Sequence, residues 1–258
     1  MSEHEQSAAW RAALMGEGRG IDVTRKVVRR IPSGPRCKLC EAPMSAPGSI
    51  LLKPFGFGPS KLNRRLCRAC FRHLEKHPGG AEIELSLLFA DVRGSTGLAE
   101  RSSAQDFSRL ISRFYGAAAS VVDSWNGVVD KFVGDEVVAL FVPGFAGQDH
   151  ARRAIAAGRD LLRTTGNDGP EPWAPIGIGV HTGVAFVGRV GEGDACDFTA
   201  VGDAMNTAAR LASSAGAGEL LVSRAAAEAA GFDAAGLEAR TLELRGRDET
   251  VDAVVATA

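Results

Sequence analysis

The sequence lacks a long hydrophobic run. Its 258 residues contain no window of about 18 consecutive apolar residues, so they predict no membrane-spanning helix. The N-terminal stretch, MSEHEQSAAWRAAL, has acidic residues where a secretory signal has basic ones, and no extended apolar segment follows it. We therefore expect a cytoplasmic protein that has no membrane partner.

The chain also has little net charge, but this balance conceals an uneven distribution. The formal net charge is −1, yet residues 1–80 carry fifteen Lys/Arg against six Asp/Glu, and residues 81–258 carry fifteen against twenty-five. Such an asymmetry indicates two units with different surfaces. The basic unit could contact nucleic acid, an acidic partner or its acidic neighbour. With 45% apolar and 24% charged residues, the composition is typical of a globular protein.

Cysteine is scarce, and most of it is concentrated in one short region. Four of the five cysteines form two C-x-x-C pairs, Cys37, Cys40, Cys67 and Cys70. Two such pairs allow four thiolates to bind one tetrahedral metal ion, and nothing in the sequence indicates export, which disfavours disulfides. Structural zinc is the preferred interpretation, and an iron–sulfur cluster or redox-active thiols remain alternatives. Cys196 stands alone, and we expect a small buried or loop residue there.

The four-cysteine region contains little that could form a hydrophobic core. The segment between the two pairs is rich in proline and glycine, so a bound metal would supply the missing folding free energy. Nearby His73 and His77 are expected to be exposed on a helix. We divide the chain into a flexible or partner-dependent tail (1–35), a four-cysteine unit (36–77) and, after the breaker Pro78-Gly79-Gly80, a second unit (81–258).

Strand and helix patterns alternate in the second unit. An apolar strand precedes Asp91, amphipathic helices are predicted over Ser102–Trp125 and Gln148–Arg163, and Ile176–Val190 is a long strand. Between them, Val128–Val142 predicts a hairpin that turns at Gly134-Asp135. Taken alone, that polar tip would be a solvated turn. The pattern predicts an α+β or α/β sandwich, with helices packed against one sheet.

Six polar residues stand out because each ends an apolar strand or lies on a helix that follows one. They are Asp91, Lys131, Asp135, Thr199, Asn206 and Arg210. Two carboxylates that leave neighbouring strands suit Mg²⁺ together with substrate phosphates, and two such ions can assist an in-line displacement at phosphorus. An amide and a guanidinium one helical turn apart could stabilise the charge that develops there.

Four segments in the second unit resemble motifs of the class III nucleotidyl cyclase catalytic domain. They are FADVRGST (89–96), DKFVGDEVVALF (130–141), GIGVHTG (177–183) and FTAVGDAMNTAARL (198–211). The resemblance covers residues 83–258. It implies an α+β fold, namely a ferredoxin-like βαββαβ cyclase sandwich with a dimerisation arm, preceded here by the small cysteine-rich metal-binding unit.

The resemblance also implies roles for individual residues. Asp91 and Asp135 match the metal-binding aspartates, and Asn206 and Arg210 match the pair that stabilises the transition state. Lys131 and Thr199 match the pair that contacts the purine. Lysine followed by aspartate or threonine is typical of adenylyl cyclases of this family, whereas guanylyl cyclases typically have glutamate and cysteine. The candidates for binding the triphosphate are Arg245 and, as alternatives, Arg93 and Arg189.

The resemblance implies a head-to-tail dimer, for this chain a homodimer, with active sites in the interface. One chain would supply the metal-binding aspartates, the other would supply the purine pair with Asn206 and Arg210, and an arm near Gly188–Asp197 would reach the partner. We therefore expect an adenylate cyclase that uses two Mg²⁺ or Mn²⁺ ions per site to convert ATP into 3′,5′-cyclic AMP and pyrophosphate. Less favoured alternatives are a guanylate cyclase and a non-catalytic regulator that senses nucleotides or binds nucleic acid. The N-terminal region could contact a regulatory partner.

Overall fold

The computed structural model describes residues 3–17, 27–28, 30–31, 36–60, 66–192, 195–243 and 250–258. The helices are α1 (Glu3–Met15), α2 (Gly48–Leu52), α3 (Arg68–Lys76), α4 (Ser95–Arg101), α5 (Ala104–Ser124), α6 (Pro143–Ala146), α7 (His150–Thr164), α8 (Asp203–Ser214) and α9 (Arg224–Ala230), and a 3₁₀ turn spans Lys53–Phe55. The strands are β1 (Gly80–Val92), β2 (Val128–Val133), β3 (Glu136–Phe141), β4 (Ile176–Glu192), β5 (Ala195–Val201), β6 (Leu220–Ser223), β7 (Ala239–Glu243) and β8 (Thr250–Ala256).

The chain divides into two compact units. The first combines Met1–Ile83 with Phe186–Val201, and the second combines Glu84–Ala185 with Gly202–Ala258. Strands β1 and β4 run from one unit into the other. In the part of the chain that the structure describes, no helix has both the length and the apolar character that a bilayer span requires.

The described strands form a sheet in the order β2-β3-β1-β4-β6-β8-β7, and β5 pairs with the far end of β4. Elements β1 to β4 follow one another as βαββαβ, and their spatial order places β1 in the middle of the motif. β3 pairs antiparallel with β1 and with β2, whereas β6 runs parallel to β4. The expected ferredoxin-like α+β sandwich is confirmed.

In the second unit, helices pack on both faces of the sheet. Leu220 and Val222 lie in the large core under α5, α7 and α9, whereas the intervening Leu221 packs with Leu211 of α8. Successive residues of a strand point to opposite faces, so α8 lies on the face opposite the other three helices. Helix α8 approaches β4 closely because Gly179 has no side chain: a Cβ there would lie 2.3 Å from the Ala212 nitrogen.

In the first unit, the end of β4 and β5 form a two-stranded antiparallel ribbon. The register pairs Gly188 with Thr199 and runs to Glu192 opposite Ala195. This ribbon corresponds to the predicted arm, and whether it contacts a partner stays a prediction. Helix α1 lies in the segment predicted as a flexible or partner-dependent tail, and it buries Trp10 and Leu14.

Candidate active site

A cluster of carboxylates forms where β1 ends. The buried run of β1 leads to Asp91, whose side chain is only 26% exposed. In the pairing of β1 with β3, Asp91 lies opposite Glu136, and the Val92 amide donates to the Asp135 carbonyl at 3.4 Å. The tip of the β2–β3 hairpin therefore lies beside the end of β1, and the carboxylates of all three acidic residues are brought together.

The conformation of the hairpin tip is fixed by two local features. Gly134 adopts φ +61°, a left-handed conformation that favours glycine. The Tyr115 hydroxyl donates to the Gly134 carbonyl, and the Tyr115 ring stacks on Phe132 with 4.1 Å between ring centroids. Helix α5 thus holds the turn that carries Asp135.

The electrostatics of the cluster favour a cation. Burial raises the pKa of Asp91 to about 6, and hydrogen bonding with Asp135 acts in the same direction. Burial also raises the pKa of Glu136 to about 7, with the charges of Asp91 and Asp135 adding to the effect. Three clustered carboxylates in a half-buried position repel one another, and oxygen ligands of this kind match the preferences of Mg²⁺ and Mn²⁺. The donor set therefore fits the divalent metal that a cyclase uses.

Arg93 is the cationic partner of Asp91. Its guanidinium forms an ion pair with the Asp91 carboxylate, and Nη1 donates to the Ser213 carbonyl at 3.1 Å. The side chain thus joins the end of β1 to the C-terminal end of α8 and orients Asp91. A role of Arg93 in binding the triphosphate stays a prediction.

Lys131 and Thr199, the predicted purine contacts, lie in different units. The Lys131 ammonium is 3.2 Å from Oδ2 of Asp130, whose side chain is fully buried, while the lysine itself is 39% exposed. Thr199 is buried on β5, with its hydroxyl 3.5 Å from the Ala200 carbonyl. Their predicted contact with a purine remains untested.

Asn206 and Arg210 lie one turn apart on α8, with Asn206 exposed and Arg210 half-buried. The opposite side of this helix is buried among Ala204, Thr207, Ala208 and Leu211. Both polar side chains are thus on the side of α8 that points away from the sheet. Of the remaining triphosphate candidates, Arg189 is half-buried on β4 beside Phe198, and Arg245 lies outside the described residues.

The four predicted cysteine ligands converge in the first unit. Their sulfur atoms all lie within 4.8 Å of one another, and all four residues are buried. The Cys40 and Cys67 sulfurs are 3.6 Å apart, which is far beyond the roughly 2.05 Å of a disulfide and near the roughly 3.8 Å expected between ligands of a tetrahedral zinc ion with bonds of about 2.3 Å. The Cys67 amide donates to Cys37 Sγ at 3.2 Å, a contact that would stabilise a thiolate at Cys37.

Ionisation of all four cysteines would place four negative charges within 4.8 Å of one another, and a bound cation would offset their repulsion. Hydrogen bonding from Cys40 lowers the pKa of Cys37 well below its usual value, whereas hydrogen bonding with Cys37 raises the pKa of Cys70. No disulfide joins the cysteines, all five of which lie in the described part of the chain. The cluster can therefore hold a metal ion. Cys196 is buried on β5 and is not a member of the cluster.

Comparison with known proteins identifies the family of the second unit. The family model for the adenylate and guanylate cyclase catalytic domain matches residues 81–255. The uncharacterized protein Rv1318c of Mycobacterium tuberculosis (strain ATCC 25618 / H37Rv) is 33% identical over 177 residues, which are 67% of this chain and 32% of that protein. This chain thus spans about a third of the length of that curated relative.

Two solved structures are similar in fold and sequence. The guanylyl cyclase Cya2 has a TM-score of 0.61 and 28% identity, with 69% of this chain and 93% of that chain covered. The adenylyl cyclase CyaB from P. aeruginosa has a TM-score of 0.58 and 27% identity, with 69% and 95% covered. Fold and carboxylate cluster together define a nucleotide cyclase domain. The chain belongs to the family of adenylate and guanylate cyclase catalytic domains.

The resemblance that the four motifs indicated is confirmed, whereas the purine specificity stays a prediction. Glu136 was not among the residues predicted for the site, although the adjacent pair Asp135-Glu136 was a usable signal. Neither the ion pair of Arg93 with Asp91 nor the hydrogen bond from Tyr115 to the turn was predicted. No local pattern marked Tyr115, because its partner lies 19 residues away.

Proposed function

We propose that the chain is an adenylate cyclase that converts ATP into 3′,5′-cyclic AMP and pyrophosphate at the interface of a homodimer. The observation that carries the proposal is the carboxylate cluster of Asp91, Asp135 and Glu136 at the end of β1, within a cyclase catalytic domain. In the reaction, the ribose 3′-oxygen forms a bond to the α-phosphorus, its proton is released, and the bond to the pyrophosphate oxygen breaks.

The carboxylates of Asp91 and Asp135 would hold Mg²⁺ or Mn²⁺, which lowers the pKa of the attacking hydroxyl and neutralises triphosphate charge. Arg93 keeps the Asp91 carboxylate in position through its ion pair and its bond to the Ser213 carbonyl. The Arg210 guanidinium carries a permanent charge and planar donors for the α-phosphate oxygens. Asn206, one turn away, orients the same phosphate.

The purine would be selected by Lys131 and Thr199. A lysine ammonium donates to the N1 acceptor of adenine, and a threonine hydroxyl accepts from its amino group. Guanine presents the reverse pattern on that edge. Since Lys131 and Asp135 are four residues apart on one hairpin, the family's head-to-tail arrangement would assign them to opposite active sites of the dimer.

Guanylate cyclase activity is the second candidate, because the similar protein Cya2 is a guanylyl cyclase. Full-length protein incubated with ATP or GTP and either Mg²⁺ or Mn²⁺ should yield cyclic AMP at least about tenfold faster than cyclic GMP, the discrimination expected from one or two base contacts. A dimeric preparation that forms neither product with either metal would contradict the proposal, and faster cyclic GMP formation would favour the second candidate.

The double substitution Lys131→Glu with Thr199→Cys is expected to shift the ratio of kcat/KM for ATP over GTP by about 100-fold toward GTP, since each changed contact contributes roughly a factor of ten. Product identity by mass spectrometry checks this result. The matched control Lys76→Glu changes charge at an exposed lysine of α3. An unchanged ratio in the double variant would refute the purine assignment.

We also propose that the four-cysteine cluster binds one zinc ion, because a polynuclear iron–sulfur cluster inserts several atoms between its ligands and requires wider sulfur spacing than 4.8 Å. Cys40→Ser is expected to lose most of the metal and to make residues 36–76 sensitive to protease, since zinc supplies folding free energy to such units. Elemental analysis and limited proteolysis measure both effects. The matched control Cys196→Ser should keep one zinc per chain, and a Cys40→Ser protein that keeps full zinc would contradict the assignment.

A further inference from the structure

Lys38, which lies between the first two cysteines, occupies an unusual environment. Its side chain is 3% exposed, although lysine is among the residues least often buried. The ammonium donates to the Phe198 carbonyl and lies 3.5 Å from Asp197 Oδ2. These are charge-assisted contacts in a buried setting, where such hydrogen bonds are strong and directional. Lys38 therefore links the loop of the first cysteine pair to the middle of β5.

The helix that carries the second cysteine pair is linked to the same part of β5 indirectly, through two ring contacts. The fully buried ring of Phe198 stacks on Trp10, with centroids 6.3 Å apart and an interplanar angle of 23°. Trp10 in turn meets His73 edge-on at 6.4 Å, and His73 lies on α3, the helix that begins directly after Cys67 and includes Cys70. Within the first unit, Phe198 is thus linked to the first cysteine pair through Lys38 and to the helix of the second pair through Trp10 and His73.

The position of Lys38 depends on the geometry of the cysteine site. Lys38 directly follows Cys37 and lies two residues before Cys40. The same loop therefore carries the lysine and two of the proposed metal ligands. Amide–sulfur and sulfur–sulfur contacts connect this loop to the second pair, at 3.2 Å for Cys67 N to Cys37 Sγ and 3.6 Å for Cys40 Sγ to Cys67 Sγ. A bound metal ion would hold four thiolates at these distances, and removal of the ion would remove the coordination bonds that fix the loop.

Thr199, the proposed purine contact, is the next residue after Phe198. We infer that Lys38 is a positioning residue that connects the four-cysteine metal site to β5, so that metal occupancy sets nucleotide affinity and purine choice through Thr199. This inference rests on the proposed function. The cysteine unit would then have a regulatory role. Loss of the metal would break the hydrogen bond from Lys38 to the Phe198 carbonyl, and β5, which carries Thr199, would become more mobile.

Lys38→Met tests this inference, because methionine keeps the length and apolar stem of the side chain but removes the ammonium. The full-length variant is expected to keep one metal per chain. Its KM for ATP should be about tenfold higher than that of the wild type, and its kcat should be lower by less than about threefold. Its discrimination between ATP and GTP should fall by about the same factor as KM rises. Wild-type protein depleted of metal by a chelator should show the same KM increase and the same loss of discrimination. The matched control Lys76→Met removes an exposed lysine of α3 and should leave all four quantities unchanged.

Hydrogen exchange provides a readout that does not depend on activity. Amides of β5 should exchange faster in metal-loaded Lys38→Met and in metal-depleted wild type than in metal-loaded wild type, while those of α7 in the second unit stay unchanged. If the wild-type protein had no cyclase activity, the proposed function would be refuted. The hydrogen-exchange result alone would then decide whether the metal site and β5 are coupled. Conversely, the inference would be overturned if the wild type is active but its KM, its preference for ATP over GTP and the exchange of its β5 amides are the same with and without metal. Lys38→Met would then also show the wild-type values.

Discussion

Asp91→Asn is expected to lower kcat for cyclic nucleotide formation by about 1,000-fold or more, because a lost metal ligand removes several kcal/mol of transition-state stabilisation. Asparagine preserves the size of the side chain and removes one charge from a cluster of three carboxylates that repel one another. Catalysis should therefore be lost without loss of the fold. Product formation in Mg²⁺ and in Mn²⁺ measures the first effect, and thermal unfolding measures the second.

The matched control for this substitution is Asp168→Asn, which makes the same chemical change in an exposed loop and should leave activity and melting temperature unaltered. Activity within about threefold of wild type in Asp91→Asn would contradict the assignment of the metal site. A melting temperature far below that of wild type would instead indicate that Asp91 serves the fold through its ion pair with Arg93.

The parts of the structure that the sequence predicted well are those governed by local patterns. The β2–β3 hairpin follows from apolar β-formers on either side of Gly134-Asp135, and the structure has strands at 128–133 and 136–141 with the turn between them. Asp91 follows directly from the end of an apolar strand. In each case the signal is contained within about ten residues, the range over which periodicity and turn chemistry act.

The contacts that the sequence did not predict join residues far apart in the chain. Lys38 and Phe198 are separated by 160 residues, and nothing in the composition near Lys38 distinguishes a buried lysine from a solvated one. The pair Asp91–Arg93 is local, but the bond that fixes it runs from Arg93 to Ser213, 120 residues away. Such partners are determined by tertiary packing, and neither propensity nor spacing encodes them.

The role proposed for Asn206 and Arg210 requires a second copy of the chain. These two residues lie on the side of α8 away from the sheet, where a partner subunit could meet them. A dimer with closed two-fold symmetry would contain two equivalent sites, each built from the carboxylates of one chain and the α8 residues of the other. Substitutions in the two groups should then complement each other within one dimer.

The Asp91→Asn and Arg210→Ala homodimers are each expected to be nearly inactive. A purified heterodimer with Asp91→Asn in one chain and Arg210→Ala in the other should regain about half of wild-type activity, because one of its two sites has no substitution. Co-expression with two different affinity tags and tandem purification yields that heterodimer, and cyclic nucleotide formation per dimer measures the recovery. The matched control combines Asp91→Asn with Asp135→Asn, which damages both sites and should remain inactive. If the first pair fails to recover in a confirmed heterodimer, or if the control pair recovers, the two groups do not meet across the interface and each active site would have to be built in another way.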